Sequence, residues 1–180
     1  MSWKSIAFCV FVMLFLFGAD AALKAYVHHQ LPLAASCMPL YPFGGIEVFR
    51  NWHGIDFCLV HVMNKGAAWG IFSSVQDYLL YVRVALIGGL IAYLIFAKAS
   101  RYRKWSLLLV TVGALSNVVD YFVYGHVVDM FYFILWGYSY PVFNIADSII
   151  FLGIVLLLAE ALVSKSVSKK SPKPKERKSS

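Results

Sequence analysis

The sequence predicts an all-α membrane protein with four transmembrane helices and a small β-containing extracytoplasmic segment. Of its 180 residues, 61% are hydrophobic and only 14% are charged, and the mean hydropathy is +0.71. Soluble domains rarely have this balance, for which a bilayer is the natural solvent. The apolar residues also gather into four segments, each close to the ~20 residues that a helix needs to cross the hydrocarbon core.

The four apolar segments account for most of the chain. In chain order they are residues 5–26, 78–97, 105–124 and 142–163. We therefore predict one four-helix membrane domain over residues 1–163. The tail, residues 164–180, is rich in Lys, Ser and Pro and has no apolar periodicity. It is predicted to be a disordered, basic, cytoplasmic segment.

The basic residues predict the orientation in the membrane. Twelve of the sixteen Lys and Arg residues lie at the N-terminus, between the second and third segments, or in the tail. Such residues collect in cytoplasmic loops, so both termini are predicted to be cytoplasmic. The net charge of +7 is mainly a topology signal, with some attraction to anionic membrane lipids. The basic run lacks interleaved aromatic residues, so we expect no nucleic-acid partner.

The N-terminus also has features of a secretory signal peptide. Lys4 precedes an apolar run over residues 6–18, and Ala19-Asp20-Ala21 offers small residues for cleavage. Cleavage would leave three segments and would place the two termini on opposite sides. We therefore predict a retained first helix.

An extracytoplasmic insertion is expected at about residues 28–77. Residues 46–50 and 55–63 have strand-like composition on either side of a turn that contains Gly54, which predicts a small hairpin. Trp52 and Trp69 are expected at the level of the lipid headgroups.

Two aspartates carry the most functional information. Asp129 lies just beyond the third apolar segment and Asp147 just inside the fourth, so a short loop would bring both to the same membrane face. Ionisable residues at such depth are costly and tend to mark function. Two adjacent carboxyl groups cannot both ionise easily and share a proton, which is the working state of an aspartic protease.

Further polar residues follow helical spacing in the third and fourth segments. The stripes consist of Gly113, Ser116, Asn117 and Asp120, and of Asn144, Asp147, Ser148 and Phe151. One interpretation is close helix packing, with small residues and hydrogen bonds across the interface. For Asp120 we expect a supporting role. Asp20, Asn64, Asp120, Asp129 and Asp147 all map to the extracytoplasmic side, which packing alone does not explain.

Five motifs in order resemble one known family. They are Asp20 with Lys24; Asn64-x-Gly66-Ala67-Ala68-Trp69-Gly70; Gly113-Ala114-Leu115-Ser116-Asn117-x-x-Asp120; Val127-Val128-Asp129; and Phe143-Asn144-x-Ala146-Asp147-Ser148. Over about residues 6–163 the chain closely resembles lipoprotein signal peptidase, also called signal peptidase II. Each motif is modest by itself, whereas five in the same order are highly specific.

The resemblance implies a multi-pass aspartic endopeptidase of the bacterial inner membrane. Members of this family cleave the signal peptide from a prolipoprotein immediately before a cysteine that carries diacylglycerol. The resemblance implies Asp129 and Asp147 as the catalytic dyad. It implies supporting or substrate-binding roles for Asp20, Lys24, Asn64, Gly66, Asn117, Asp120 and Asn144. No cofactor or metal is implied, and since one helix bundle holds every such residue, a monomer would suffice.

The chain departs from the family pattern at two positions of the third motif. Tyr121 stands where the family usually has Arg, and Ser116 where it usually has Gly. Without that Arg, Asp120 cannot form a bidentate ion pair with it. Arg83 of the second helix is one candidate to replace the missing partner.

Other functions and sites are less well supported by the sequence. A small ion or proton transporter would also carry intramembrane carboxylates, but it would space them along a path. A thiol oxidoreductase would need a Cys-x-x-Cys pair. Cys37 and Cys58 are expected to be either a disulfide or two free thiols. His28, His29, His53 and His61 are irregularly spaced and are interpreted as loop histidines without a metal.

Overall fold

The computed structural model describes residues 3–34, 40–66 and 76–170 of the chain. Within these ranges the chain forms four long helices and four strands. In chain order they are α1 (Trp3–Gln30), β1 (Ile46–Trp52), β2 (Ile55–Asn64), α2 (Gln76–Phe96), α3 (Arg101–Tyr124), β3 (Val127–Leu135), β4 (Tyr138–Ser139) and α4 (Ile145–Lys170).

All four helices are long and apolar enough to cross a membrane. Their outer faces expose many large apolar side chains, such as Phe8, Phe122 and Leu158. Such exposure is unfavourable in water and is expected of helices that face lipid. With the small antiparallel sheet described below, the four helices confirm the predicted fold class.

Two helices extend beyond their predicted ends. α1 continues to Gln30, so His28 and His29 are helical and do not lie in a loop. α4 continues to Lys170, into the segment that was expected to be disordered. In both places the helix meets no Gly or Pro until Pro32 and Pro172, so nothing in the backbone stops it earlier. Residues 171–180 lie outside the described part of the chain, and their disorder stays a prediction.

The four strands form one antiparallel sheet in the order β1-β2-β3-β4. The predicted hairpin of β1 and β2 is present, with Trp52 opposite Ile55. The sequence did not predict β3, because the link between the third and fourth helices was interpreted as a short loop. Residues 127–130 are all buried, so this strand lacks the alternation that identifies a half-exposed strand.

Two type I′ turns close the sheet at the end away from the helices. His53 (φ 52°) and Gly54 (φ 83°) join β1 to β2, and Trp136 (φ 50°) and Gly137 (φ 84°) join β3 to β4. Consecutive positive φ angles match the twist of antiparallel strands. At the opposite end, Asn64 of β2 pairs with Val127 of β3. That end adjoins the helices.

Two close contacts determine where the site forms. Val27 of α1 packs with Val128 and Met130 of β3 in a fully buried cluster, which seats the sheet on the helices. α3 and α4 approach closely because of two glycines. A Cβ atom on Gly113 would lie 2.6 Å from the carbonyl oxygen of Ala146, and one on Gly153 would lie 2.7 Å from that of Ser106.

Candidate active site

Asp129 and Asp147 line one cavity from different elements. Asp129 lies in β3 opposite Val62 of β2, and only 2% of its surface is exposed. Asp147 lies in the first turn of α4. α3 is capped by Gly125, whose left-handed backbone (φ 76°) turns the chain into β3. The β3–β4 hairpin then returns the chain to α4, so both acids lie at the same end of the bundle.

Asn144 and Asp147 form a reciprocal capping box at the start of α4. The side-chain oxygen Oδ1 of Asn144 accepts a hydrogen bond from the Asp147 backbone N–H at 2.9 Å, and Oδ2 of Asp147 accepts one from the Asn144 N–H at 3.3 Å. Such a box satisfies helix N–H groups that would otherwise lack partners. It also fixes the orientation of the Asp147 carboxylate and leaves its Oδ1 free to accept a hydrogen bond from Asn117.

Three asparagine amides hold the two carboxylates. Asn64 Nδ2 donates to Asp129 Oδ2 at 2.9 Å, and Asn144 Nδ2 donates to Asp129 Oδ1 at 2.8 Å. Asn117 Nδ2 donates to Asp147 Oδ1 at 2.8 Å. Asn64 is itself oriented by the Gly66 N–H, which donates to its Oδ1 at 3.0 Å. Asn144 therefore contacts both acids and sets their relative position.

A fully buried lysine connects α1 to this network. Lys24 Nζ lies 2.5 Å from Asp20 Oδ2 and 2.6 Å from Asp120 Oδ2, and it donates to Asn117 Oδ1 at 2.9 Å. Lys24 therefore makes two buried ion pairs and one hydrogen bond. Because Asn117 also donates to Asp147, the charge cluster orients one of the two acids.

Asp20 attaches α1 to the beginning of α4. Its Oδ1 accepts the Ala146 backbone N–H at 2.9 Å, and its Oδ2 accepts the Ser116 hydroxyl at 2.7 Å. A carboxylate at a helix N-terminus satisfies a free N–H and interacts favourably with the helix dipole. Ser116, one of the departures from the family pattern, therefore makes a buried hydrogen bond.

Burial raises the pKa of the Asp129 carboxyl to about 7, and the nearby charge of Asp147 raises it as well. The amides of Asn64 and Asn144, and the charge of Lys24, favour the ionised form and partly offset that rise. A carboxyl group with a pKa near neutrality exchanges its proton readily at physiological pH. That property suits general acid–base chemistry.

The cavity has a volume of about 680 Å³ and combines a polar end with apolar sides. The polar end carries the two aspartates, Asn64 and Asn117. The sides are mainly apolar and are lined by Val127, Phe133, Leu135, Pro141, Val142, Phe143 and Phe151, with Gly66, Arg83, Tyr140 and Ser148 between them. This combination suits a substrate that presents one polar bond within an apolar segment.

The structure brings all the predicted site residues into one network of hydrogen bonds and ion pairs. They are Asp20, Lys24, Asn64, Gly66, Asn117, Asp120, Asp129, Asn144 and Asp147. Their roles in catalysis remain predictions. The rest of the second motif, including Trp69, lies outside the described residues, as does Cys37. Cys58 is buried and is bonded to no cysteine among the described residues, so a disulfide with Cys37 stays a prediction.

Arg83 does not replace the arginine that Tyr121 displaces. Its guanidinium donates to the Gly66 carbonyl at 2.8 Å and so supports the turn that follows Asn64. Lys24 is the residue that pairs with Asp120. The sequence indicated a buried ion pair because Lys24 lies one helical turn beyond Asp20 on α1. It did not indicate that Asp120 of α3 is the second partner, which only the folded structure shows.

Three histidines come together on another side of the sheet. Ring nitrogens of His28, His61 and His126 lie within 4.8 Å of one another, as ligands of one metal ion could. The sequence did not single out His126, which is close to His28 and His61 only in space. Nothing in the spacing of the three along the chain indicates the cluster.

Comparisons with known proteins agree with the motifs. A family model described as "Signal peptidase (SPase) II" matches residues 12–163. A lipoprotein signal peptidase of Chlamydia pneumoniae is 40% identical over 111 residues, which cover 61% of this chain and 66% of that protein, just under two thirds of its length. One of Chlamydia trachomatis serovar L2 is 34% identical over 147 residues, covering 80% of this chain and 87% of that protein.

A solved structure has the same architecture. It is described as a bacterial membrane enzyme at 2.3 Å resolution, and it is similar with a TM-score of 0.71 and 25% sequence identity, covering 93% of this chain and 94% of that one. Because the family model spans most of the residues that form the helices, the sheet and the site, the chain belongs to the signal peptidase II family, the lipoprotein signal peptidases, and is a multi-pass membrane peptidase.

Proposed function

We propose that the chain is an aspartic endopeptidase that cuts a diacylglyceryl-modified prolipoprotein immediately before its lipidated cysteine. The observation that supports this most is the position of Asp129 and Asp147. Both line one cavity, Asn144 contacts both, and the charge of Asp147 influences the ionisation of Asp129. Two carboxyl groups placed in this way would share one proton.

The proposed reaction uses this shared proton. The ionised member of the pair takes a proton from a water molecule, and that water attacks the scissile carbonyl carbon. The protonated member donates its proton to the carbonyl oxygen, giving a tetrahedral intermediate that collapses when the leaving amine is protonated. The three asparagine amides hold both carboxylates in place before the substrate arrives, which lowers the reorganisation needed during the reaction.

The cavity also suggests how the substrate is held. Its apolar sides run from the β3–β4 hairpin to Phe151 of α4, whose side chain is exposed on the outside of the bundle. An extended signal peptide would cross the polar end, where the scissile bond meets the aspartates. The acyl chains would stay in the lipid beside α2 and α4, since Arg83 and Phe151 border the same cavity.

The proposed location is the bacterial inner membrane, with both termini cytoplasmic and the site at the extracytoplasmic face. The site residues come from a single chain, so a monomer would be active. Transport through the carboxylates is less well supported. Asp129 and Asp147 line one cavity, and Asp20 and Asp120 pair with Lys24, which donates to Asn117 of the same cavity, so the described acids form one cluster and not a path across the bundle.

The test is peptide cleavage by purified protein in detergent. We expect a synthetic diacylglyceryl-prolipoprotein peptide to be cut before the modified cysteine, and its unlipidated twin to stay intact. Asp129→Asn and Asp147→Asn should each lower kcat by at least about 10³-fold, because each removes a group that acts only in the transition state. Glu47→Gln, which removes an exposed carboxylate of β1, should leave the rate unchanged.

Different results would contradict different parts of the proposal. Cleavage of both peptides at equal rates would disprove the lipid requirement. Appreciable cleavage by either aspartate variant would exclude the dyad while leaving the family assignment intact. A folded wild-type protein that cuts neither peptide would exclude the peptidase activity, and ion flux in proteoliposomes would then be measured.

A further inference from the structure

Three histidines from three separate elements meet beside the α1 end of the sheet. His28 comes from the last turns of α1, His61 from β2, and His126 from the residue between Gly125 and β3. The ring centroids of His28 and His61 are 5.2 Å apart, and those of His28 and His126 are 5.8 Å apart. His61 and His126 are both buried. No part of the proposed peptidase reaction uses this cluster.

Each ring has a buried nitrogen atom without a hydrogen-bond partner among the described residues. These atoms are Nδ1 of His28, Nε2 of His61 and Nε2 of His126. A buried nitrogen that gives up its hydrogen bond to water and forms no other hydrogen bond destabilises the fold. Three such atoms side by side therefore point to a shared ligand that contacts all of them.

The other hydrogen bonds of the rings show which kind of ligand fits. His61 Nδ1 lies 3.1 Å from the Leu31 carbonyl oxygen, which can only accept, so the proton of His61 is on Nδ1 and its Nε2 carries a lone pair. Nε2 of His126 likewise has no hydrogen-bond partner among the described residues. Histidines that ligate metals typically donate their second N–H to a backbone carbonyl in this way.

We propose that His28, His61 and His126 bind one divalent transition-metal ion, most favourably Zn²⁺, on the side of β3 opposite to the active-site cavity. Imidazole nitrogen is a preferred ligand for Zn²⁺, and three such ligands with water in the fourth position form a common site. In a tetrahedral site with Zn–N bonds of about 2.0–2.1 Å the nitrogens would be roughly 3.4 Å apart. Small rotations of the rings would close the present gaps, which are at most 4.8 Å.

The position of this tri-histidine site gives the ion a structural role. His126 directly precedes β3, three residues before Asp129. Asp129 lines the cavity, whereas Val128 and Met130 on the other face of β3 pack on Val27 of α1, the neighbour of His28. His61 precedes Asn64 on β2 by the same interval, and His28 follows Lys24 on α1. A bound ion would therefore connect the three elements that hold Asp129, Asn64 and Lys24, without contacting the substrate.

The test measures metal binding and does not depend on peptidase activity. Protein purified without a polyhistidine tag and treated with a chelator is titrated with Zn²⁺ by calorimetry, and with Co²⁺ by visible absorption. We expect one ion per chain, a higher thermal unfolding temperature with Zn²⁺, and X-ray absorption at the zinc edge that shows three imidazole nitrogens. His61→Gln and His126→Gln should each weaken binding by more than about 100-fold, since loss of a supporting residue alone costs up to that much.

His53→Gln is the matched control, because His53 is exposed in the β1–β2 turn and lies outside the cluster. It should bind Zn²⁺ as the wild type does. The proposal is overturned if the wild-type protein takes up no ion, or if His61→Gln and His126→Gln bind it unchanged. Should those variants fold poorly, the wild-type absorption spectrum decides, since fewer than three imidazole ligands would also refute the site.

Discussion

A single buried lysine balances two acids at the centre of the structure. Lys24 is fully buried between Asp20 and Asp120, and it also donates to Asn117. Lys24→Met would leave two buried carboxylates without a counter-charge, so we expect the free energy of unfolding to fall by about 3–5 kcal/mol. Thermal unfolding in detergent measures this loss.

Two further variants make the test of Lys24 specific. Lys98→Met removes an exposed lysine from the link between α2 and α3 and should change stability little. Adding Asp120→Asn to Lys24→Met removes one of the two uncompensated charges and should recover part of the loss. Equal stability of Lys24→Met and Lys98→Met would show that the buried charge cluster contributes nothing.

Asn64 should control the pH dependence of activity. Its amide donates to Asp129 Oδ2 at 2.9 Å, which favours the ionised carboxylate and lowers a pKa that burial has raised to about 7. Asn64→Ala removes that donor, so Asp129 keeps its proton to higher pH. Because the dyad needs one proton, the alkaline limb of kcat/KM should move up by about 1 pH unit.

The pH profile of the lipidated-peptide cleavage checks this shift. Gln30→Ala, which removes an exposed amide at the end of α1, serves as the control and should keep the wild-type profile. The maximal rate of Asn64→Ala should also fall, because Asp129 is held less rigidly. An alkaline limb that stays in place, or moves to lower pH, would contradict the role given to this amide.

At the level of elements, the approach of α3 to α4 positions Asn117 against Asp147. A Cβ atom at Gly113 would lie 2.6 Å from the Ala146 carbonyl oxygen and 2.8 Å from Ile150 Cγ1. Gly113→Ala must therefore push the two helices apart. We expect it to cost about 1–3 kcal/mol of stability, and to lower kcat/KM by up to about 100-fold, because the acids lose their alignment.

Gly88→Ala is the matched control for this change. Gly88 lies within α2, and a Cβ atom there would meet no atom of the described residues within 4 Å. The substitution should be neutral or slightly stabilising, since alanine favours helix more than glycine does. Thermal unfolding and cleavage by both variants test the prediction, and a harmless Gly113→Ala would mean that the helices tolerate wider separation.

The sheet shows what could and could not be predicted at this scale. Strands β1 and β2 flank a turn that contains Gly54, and their strand-like composition predicted the hairpin. Strand β3 is buried at the residues nearest the site, so its composition resembles a continuation of the helix before it. Gly125 was the signal for the break, because a glycine after a helical segment often ends it.

For the whole molecule, the distribution of charge predicts a single orientation. The cytoplasmic side would hold both termini and the link between α2 and α3. On the same side, Arg103 in the first turn of α3 pairs with Glu160 of α4 at 3.2 Å. A fluorescent protein fused to the C-terminus should therefore fluoresce, and alkaline phosphatase inserted at Gly54 should be active. The reverse pattern of the two reporters would show that the basic residues do not set the orientation.

The sequence alone determined the class of the protein and its four membrane spans, and it predicted which residues form the site. Hydrophobicity and charge are summed along the chain, and the motifs are contiguous, so no folded structure is needed to recognise them. Tertiary structure decided which residues pair: Lys24 with Asp120, Asn144 with both acids, and the three histidines with one another. These contacts join segments that are distant in sequence, and only the packing of α1, β3 and α4 sets their distances and removes the water that would otherwise screen them.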